Sequence, residues 1–173
     1  MKFTSFVTLI TAALVSAEAQ VPWNEASAWY TCTQNLVKEY NTGSVGDLAP
    51  CNLWDCLHKN ALTYKRGGGI TLVSNLLTPA CIAAKANPGS WFPGFPGSNN
   101  GKPATIAESM DWNSCTRELL DEFDTDSTGN RAACNMWVCL HNQAAKYQRG
   151  GLLTTASNIL TPICTAAGVI LPN

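Results

Sequence analysis

The sequence has little with which to span a membrane or hold a polyanion. None of its apolar runs approaches the roughly 20 residues a helix needs to cross a bilayer, and the nearest, Phe6 to Val15, falls far short. Charged residues make up 13% of the 173 positions, the net charge is −1, and Lys and Arg never cluster, so nucleic-acid binding has no electrostatic basis. There is no N-x-[ST] sequon, and hence no acceptor for N-linked glycan. Alternating apolar and polar residues bounded by hairpin turns are missing, which argues against strands. Also missing are a Ser in a G-x-S-x-G elbow, an H-E-x-x-H pair and a Gly-rich phosphate loop ahead of a helix.

What the chain does have is cysteine. All eight follow "MKFTSFVTLITAALVSAEAQ", in which Lys2, a short apolar run and the small-x-small triplet Ala17-Glu18-Ala19 have the order of a cleaved secretory signal. Residues 1–19 are therefore expected to be removed and the product to be secreted and extracellular. An even number of cysteines in an oxidising compartment predicts four disulfides rather than metal sites.

The cysteines fall in two identical series. Cys32, Cys51, Cys56 and Cys81 are spaced 19, 5 and 25 apart, and Cys115, Cys134, Cys139 and Cys164 repeat those intervals. Laying Trp29–Ala84 on Trp112–Ala167 at an offset of 83 gives 29 identities in 56 gap-free positions, far beyond chance. The reading is a four-cysteine unit written twice: a first module over 20–86, a linker over 87–108 and a second module over 109–173. The linker begins "NPGSWFPGFPGSNNGKP", too rich in Pro and Gly for regular structure. Its Trp91, Phe92 and Phe95 either pack back on a module or form an exposed aromatic stripe, which makes them the candidate binding residues.

Each module reads as three helices, an all-α fold. The first helix opens with Asn24 as its cap and ends before Gly43, with Trp29, Cys32, Leu36, Val37 and Tyr40 at helical spacing. The second, "CNLWDCLHKNALTYKRGG" and its repeat "CNMWVCLHNQAAKYQRGG", carries an apolar arc of Leu53, Trp54, Leu57, Ala61 and Tyr64 and is stopped by Gly67-Gly68 or Gly150-Gly151. The third is expected to break at Thr78-Pro79 and Thr161-Pro162. Two disulfides per module supply what a core of about sixty residues lacks.

Four cysteines allow three pairings. Cys51 and Cys56 on one helix are too far apart around it to bridge. Of the rest, an up-down-up register favours Cys32–Cys56 with Cys51–Cys81, and Cys115–Cys139 with Cys134–Cys164, over Cys32–Cys51 with Cys56–Cys81.

The repeated block reads as scaffold. Asp55 and His58 could pair on one helix face, but the second copy has Val138 and His141 there, so the carboxylate is not repeated. His58 and His141 are the only imidazoles, one per module, and a single imidazole binds metal weakly. Arg66 and Arg149 suit a helix C-terminus, Asn52 and Asn135 suit a helix start, and Asp121-Glu122 reads as a solvated face. Neither metal nor cofactor is expected.

In length, leader, cysteine density and lack of catalytic motifs, the chain resembles the small secreted cysteine-rich proteins of filamentous fungi, the class of effector candidates. That resemblance implies a fungal, non-enzymatic protein that acts in virulence or host modulation by binding an extracellular or host protein. The alternatives are an extracellular carrier of a lipid or small apolar ligand, and a small hydrolase using Asp55 and His58.

Overall fold

Helix α1, Trp23–Asn41, follows Pro22, whose ring fixes the backbone (φ −57°) for entry into the first turn. Asn24 therefore lies inside the helix and is not its cap; its carbonyl accepts a hydrogen bond from Tyr64 Oη at 3.3 Å. The computed structural model describes residues 21–42, 48–86, 102–124, 129–149, 153 and 157–169. Within them are five further helices: α2 (Leu48–Thr63), α3 (Gly69–Ala86), α4 (Ile106–Asp124), α5 (Gly129–Lys146) and α6 (Ser157–Ala166). The fold is all-α, and no strand occurs among the described residues.

Helix α4 begins earlier than composition suggests. Thr105 Oγ1 accepts the amide of Glu108 at 3.1 Å, a side-chain cap that starts the helix at Ile106. Residues 106–108 are thus the first turn of α4 and not the end of a linker.

The ends of α2 and α5 also depart from expectation. The helices end on left-handed Lys65 (φ 56°) and Gln148 (φ 55°), ahead of the glycines, and Gly68 (φ 69°) is left-handed as well, in the connection to α3. Arg66 N donates to Ala61 O at 2.9 Å and Lys65 N to Leu62 O at 3.4 Å, which is the Schellman pattern; Arg149 and Gln148 repeat it on Ala144 and Ala145. This hook turns each arginine back along its own helix bundle.

Pro79 does not break α3, nor Pro162 α6. Each ring removes one amide from the helical ladder. Two residues on, however, Cys81 and Cys164 are bonded to the neighbouring helix. The chain is held there by a covalent tie that does not depend on the missing hydrogen bond.

The four disulfides are Cys32–Cys56, Cys51–Cys81, Cys115–Cys139 and Cys134–Cys164, with Cα–Cα distances of 5.4–5.6 Å. All four lie within a half, as the register argument favoured. They close segments of 24 and 30 residues, for which chain entropy gives about 3.5 kcal/mol each.

The packing order is α1 on α2, α2 on α3, α4 on α5 and α5 on α6, with α1 on α4 and α3 on α5 joining the halves. One apolar cluster runs through both, from Trp29 and Trp54 to Trp112 and Trp137. The face that each half turns to the other is as buried as its own interior.

Candidate functional site

The contacts between the halves obey the same offset of 83 as the sequence. Trp29 meets Phe123 at 5.4 Å between ring centroids, and its counterpart Trp112 meets Tyr40 at 6.0 Å. The amide of Val21 donates to Asp124 Oδ1 at 2.7 Å, and that of Ala104 to Asn41 Oδ1 at 2.6 Å. Two pairs join equivalent residues: the hydroxyls of Thr33 and Thr116 are 3.0 Å apart, and Trp54 stacks on Trp137. Those two pairs mark a pseudo-two-fold axis. The surface joining the halves is self-complementary, as in a symmetric dimer.

The arginines that the sequence placed at helix ends complete this interface. Arg149 is fully buried. Its Nε donates to Glu108 Oε1 at 2.8 Å and its Nη2 to Oε2 at 3.1 Å, and Nη2 also donates to Lys102 O at 2.8 Å. Trp112 Nε1 donates to the same Oε1 at 3.3 Å, and the guanidinium lies over the Tyr40 ring, 4.7 Å from its centroid. In the first half Arg66 holds Glu25 at 2.8 and 3.3 Å, Trp29 Nε1 donates to Glu25 at 3.4 Å, and the guanidinium lies 4.9 Å over Phe123. The arginine side chains differ in exposure, 29% for Arg66 and 1% for Arg149. The helix-dipole role expected for them is secondary. Each is a two-point clamp that ties the end of one helix to a carboxylate on another and to an aromatic ring of the opposite half.

Glu25 and Glu108 were not singled out from sequence, because they precede the block of high identity. Their signal was available nonetheless: a Glu at the same offset in both copies, 41 residues before the Arg it holds.

Asn52 and Asn135 do not serve the helix starts. Asn52 Nδ2 donates to Glu39 at 3.0 Å and Asn135 Nδ2 to Glu122 at 2.6 Å, which links the second helix of each half to the first. In the second half only, Asp111 Oδ2 accepts from Lys146 Nζ and Tyr147 Oη, both at 2.6 Å. The hydrogen bonds from Lys146 and Tyr147 hold the Asp111 carboxyl below the ordinary carboxylate range.

The pair suggested for hydrolysis, Asp55 and His58, lines one cavity but shares no hydrogen bond among the described residues. Asp55 accepts from Lys59 Nζ at 2.6 Å one turn on. His58 is half-buried, with Nδ1 shielded from solvent and unpartnered. It lines a cavity of about 160 Å³ between α2 and α3, with Trp54, Ser74, Leu77 and Lys85. Burial pushes the His141 imidazole below the ordinary histidine value. In the second half an open groove carries Glu118, Asp121 and Glu122 beside Asn135 and Asn142. Trp91, Phe92 and Phe95 lie outside the described residues.

Among the described residues no group of three or more His, Cys, Asp or Glu side chains is placed to hold a metal ion, and no helix is long and apolar enough to cross a membrane. Comparison with protein-family models, with curated proteins and with solved structures finds no significant match.

Proposed function

We propose that the chain is a secreted, effector-like interaction protein that modulates a host or another extracellular partner by binding it, without turnover of its own. The supporting observation is how the two copies divide their side chains. Four pairs of groups that they share (Glu25 and Glu108, Trp29 and Trp112, Arg66 and Arg149, Trp54 and Trp137) make internal contacts. Where the copies differ in charge, the differing positions include exposed ones: Asp55 and Lys59 stand where the second half has Val138 and Asn142, and Asn35 and Lys38 where it has Glu118 and Asp121. A scaffold kept twice with an outer surface that differs suits binding better than a repeated active site.

The four disulfides fit an oxidising extracellular compartment. Because the halves are joined face to face, their outer surfaces are held at a fixed spacing, so a partner that engages both gains effective concentration without linker entropy.

The test is affinity capture with the oxidised full chain from the fluid into which it is released. The bait variants reverse charge at Lys38 and Lys59 in one and at Glu118 and Asp121 in the other. A partner lost with one set of outer substitutions supports the proposal. A turnover that disappears in His58→Ala, with the circular dichroism intact, overturns it.

A further inference from the structure

The cavity between α2 and α3 combines features that the scaffold role leaves unexplained. Trp54 is 2% exposed, and its indole Nε1 is buried without a hydrogen-bond partner, although indole N–H groups find acceptors when buried. His58 Nδ1, on the next turn of the same helix, is also buried and unpartnered. Both residues line the same cavity of about 160 Å³. An indole nitrogen is a donor only, and an imidazole nitrogen donates in one of its tautomers. The Trp54 indole therefore needs an acceptor, and His58 Nδ1 can donate to the same acceptor group as its Nδ1–H tautomer.

The rest of the lining sets the charge and the shape. Lys85 lines the cavity as well, and its ammonium has no carboxylate partner among the described residues. The one carboxylate present, Asp55, is neutralised by Lys59 at 2.6 Å. The site thus carries an excess of one positive charge. Leu77, Ile82 and the Cys51–Cys81 bridge supply apolar wall. The volume compares with the about 150 Å³ that holds a benzene ring in an engineered apolar cavity.

We infer that this cavity is a binding site for a compact organic monocarboxylate of about the size of benzoate. One carboxylate oxygen takes the Trp54 indole N–H, the other takes His58 Nδ1–H, Lys85 supplies the counter-charge, and the hydrocarbon part rests on Leu77, Ile82 and the disulfide. The second half is not equipped in the same way. Val138, Thr165 and Gly168 stand at the positions of Asp55, Ile82 and Lys85, so the Lys85 ammonium has no counterpart at the matching position. The inference is independent of the proposed partner binding. It concerns a small ligand and one half only.

Benzoate is the probe. In ¹H–¹⁵N spectra of the oxidised full chain, the six Trp residues give six indole resonances. That of Trp54 is assigned through its contacts to Leu77 and His58. Titration with sodium benzoate should move this resonance far more than the other five and saturate with a Kd on the order of 1 mM, as suits a ligand of this size. Lys85→Ala, at an exposed position, should leave the circular dichroism unchanged and weaken the binding about threefold to fivefold. Neutral benzyl alcohol should bind more weakly than benzoate. The inference fails if all six indoles drift together without saturation, if Lys85→Ala binds benzoate as tightly as the parent, or if benzyl alcohol matches it.

Discussion

Trp54 and Trp137, equivalent residues of the two copies, stack on one another with 5.4 Å between ring centroids and 26° between planes. Both are almost fully buried, so each closes the core of its own half by covering the indole of the other. A face of this kind is stable only when occupied. Cleaving the chain between residues 87 and 101 should release no covalently joined product before reduction, because every disulfide lies within a half. The two oxidised fragments should nevertheless co-elute as one particle under native conditions. Fragments that separate on gel filtration without denaturant would show that the interface contributes little.

Arg149 and Glu108 give a second prediction. Removing one partner of a buried pair leaves an uncompensated charge, so Arg149→Met should lower stability by about 3–5 kcal/mol. Arg66→Met, at the half-open site, should cost roughly 1–2 kcal/mol. The double substitution Arg149→Met/Glu108→Leu should recover most of the loss in chemical denaturation. Additive losses in the double variant would mean that the two side chains act separately.

Lys65 and Gln148 occupy a conformation that suits glycine, the residue found at the same place after α6, where Gly168 has φ 78°. Lys65→Gly and Gln148→Gly should each raise stability by about 0.5–1 kcal/mol, since the left-handed strain removed exceeds the chain entropy added. A fall in thermal midpoint in either variant would mean that the side chain, and not the backbone, governs that turn.

Much of the fold was legible from spacing. Trp29, Cys32, Leu36 and Tyr40 at intervals of three and four declare a helix face, and cysteines on known helices restrict their own pairing. The contacts between the halves were harder to read. A buried Trp looks alike in sequence whether it faces its own half or another, so Trp54 and Trp137 were recognised as core but not as each other's cover. Arg66 and Arg149 followed a correct local rule for helix ends, while a carboxylate 41 residues earlier captured the charge. The helical ladder alone makes Pro79 and Pro162 look like breaks. The tie two residues beyond each of them decides the matter.

Asp111 predicts an acid limb in the stability profile. Its carboxyl lies below the ordinary carboxylate range in the folded state, through the hydrogen bonds from Lys146 and Tyr147. Its contribution is therefore present above the unfolded pKa of about 3.9 and is lost as pH falls through the folded value. Asp111→Asn should be less stable than the parent at pH 6, and the gap should narrow by pH 2 in thermal melts. A gap that does not change with pH would assign the loss to geometry and not to charge.

The two histidines should behave oppositely to a repeated catalytic pair. At pH 7.5, replacing both by Gln should leave the far-UV circular dichroism and the thermal midpoint nearly unchanged. At lower pH a difference is expected from His141. Burial holds its imidazole below the ordinary value, so the unfolded chain, near 6.5, takes up a proton before the folded one does. With more protons bound in the unfolded state, stability falls as pH drops from about 6.5 toward the folded pKa, and stops falling through this group below it. His141→Gln cannot pay that penalty. The His141→Gln variant should gain stability over the parent as pH falls below about 6.5. Melts at half-unit pH steps read this directly, and parallel curves for parent and His141→Gln across that window would show that the imidazole is not desolvated in the folded protein.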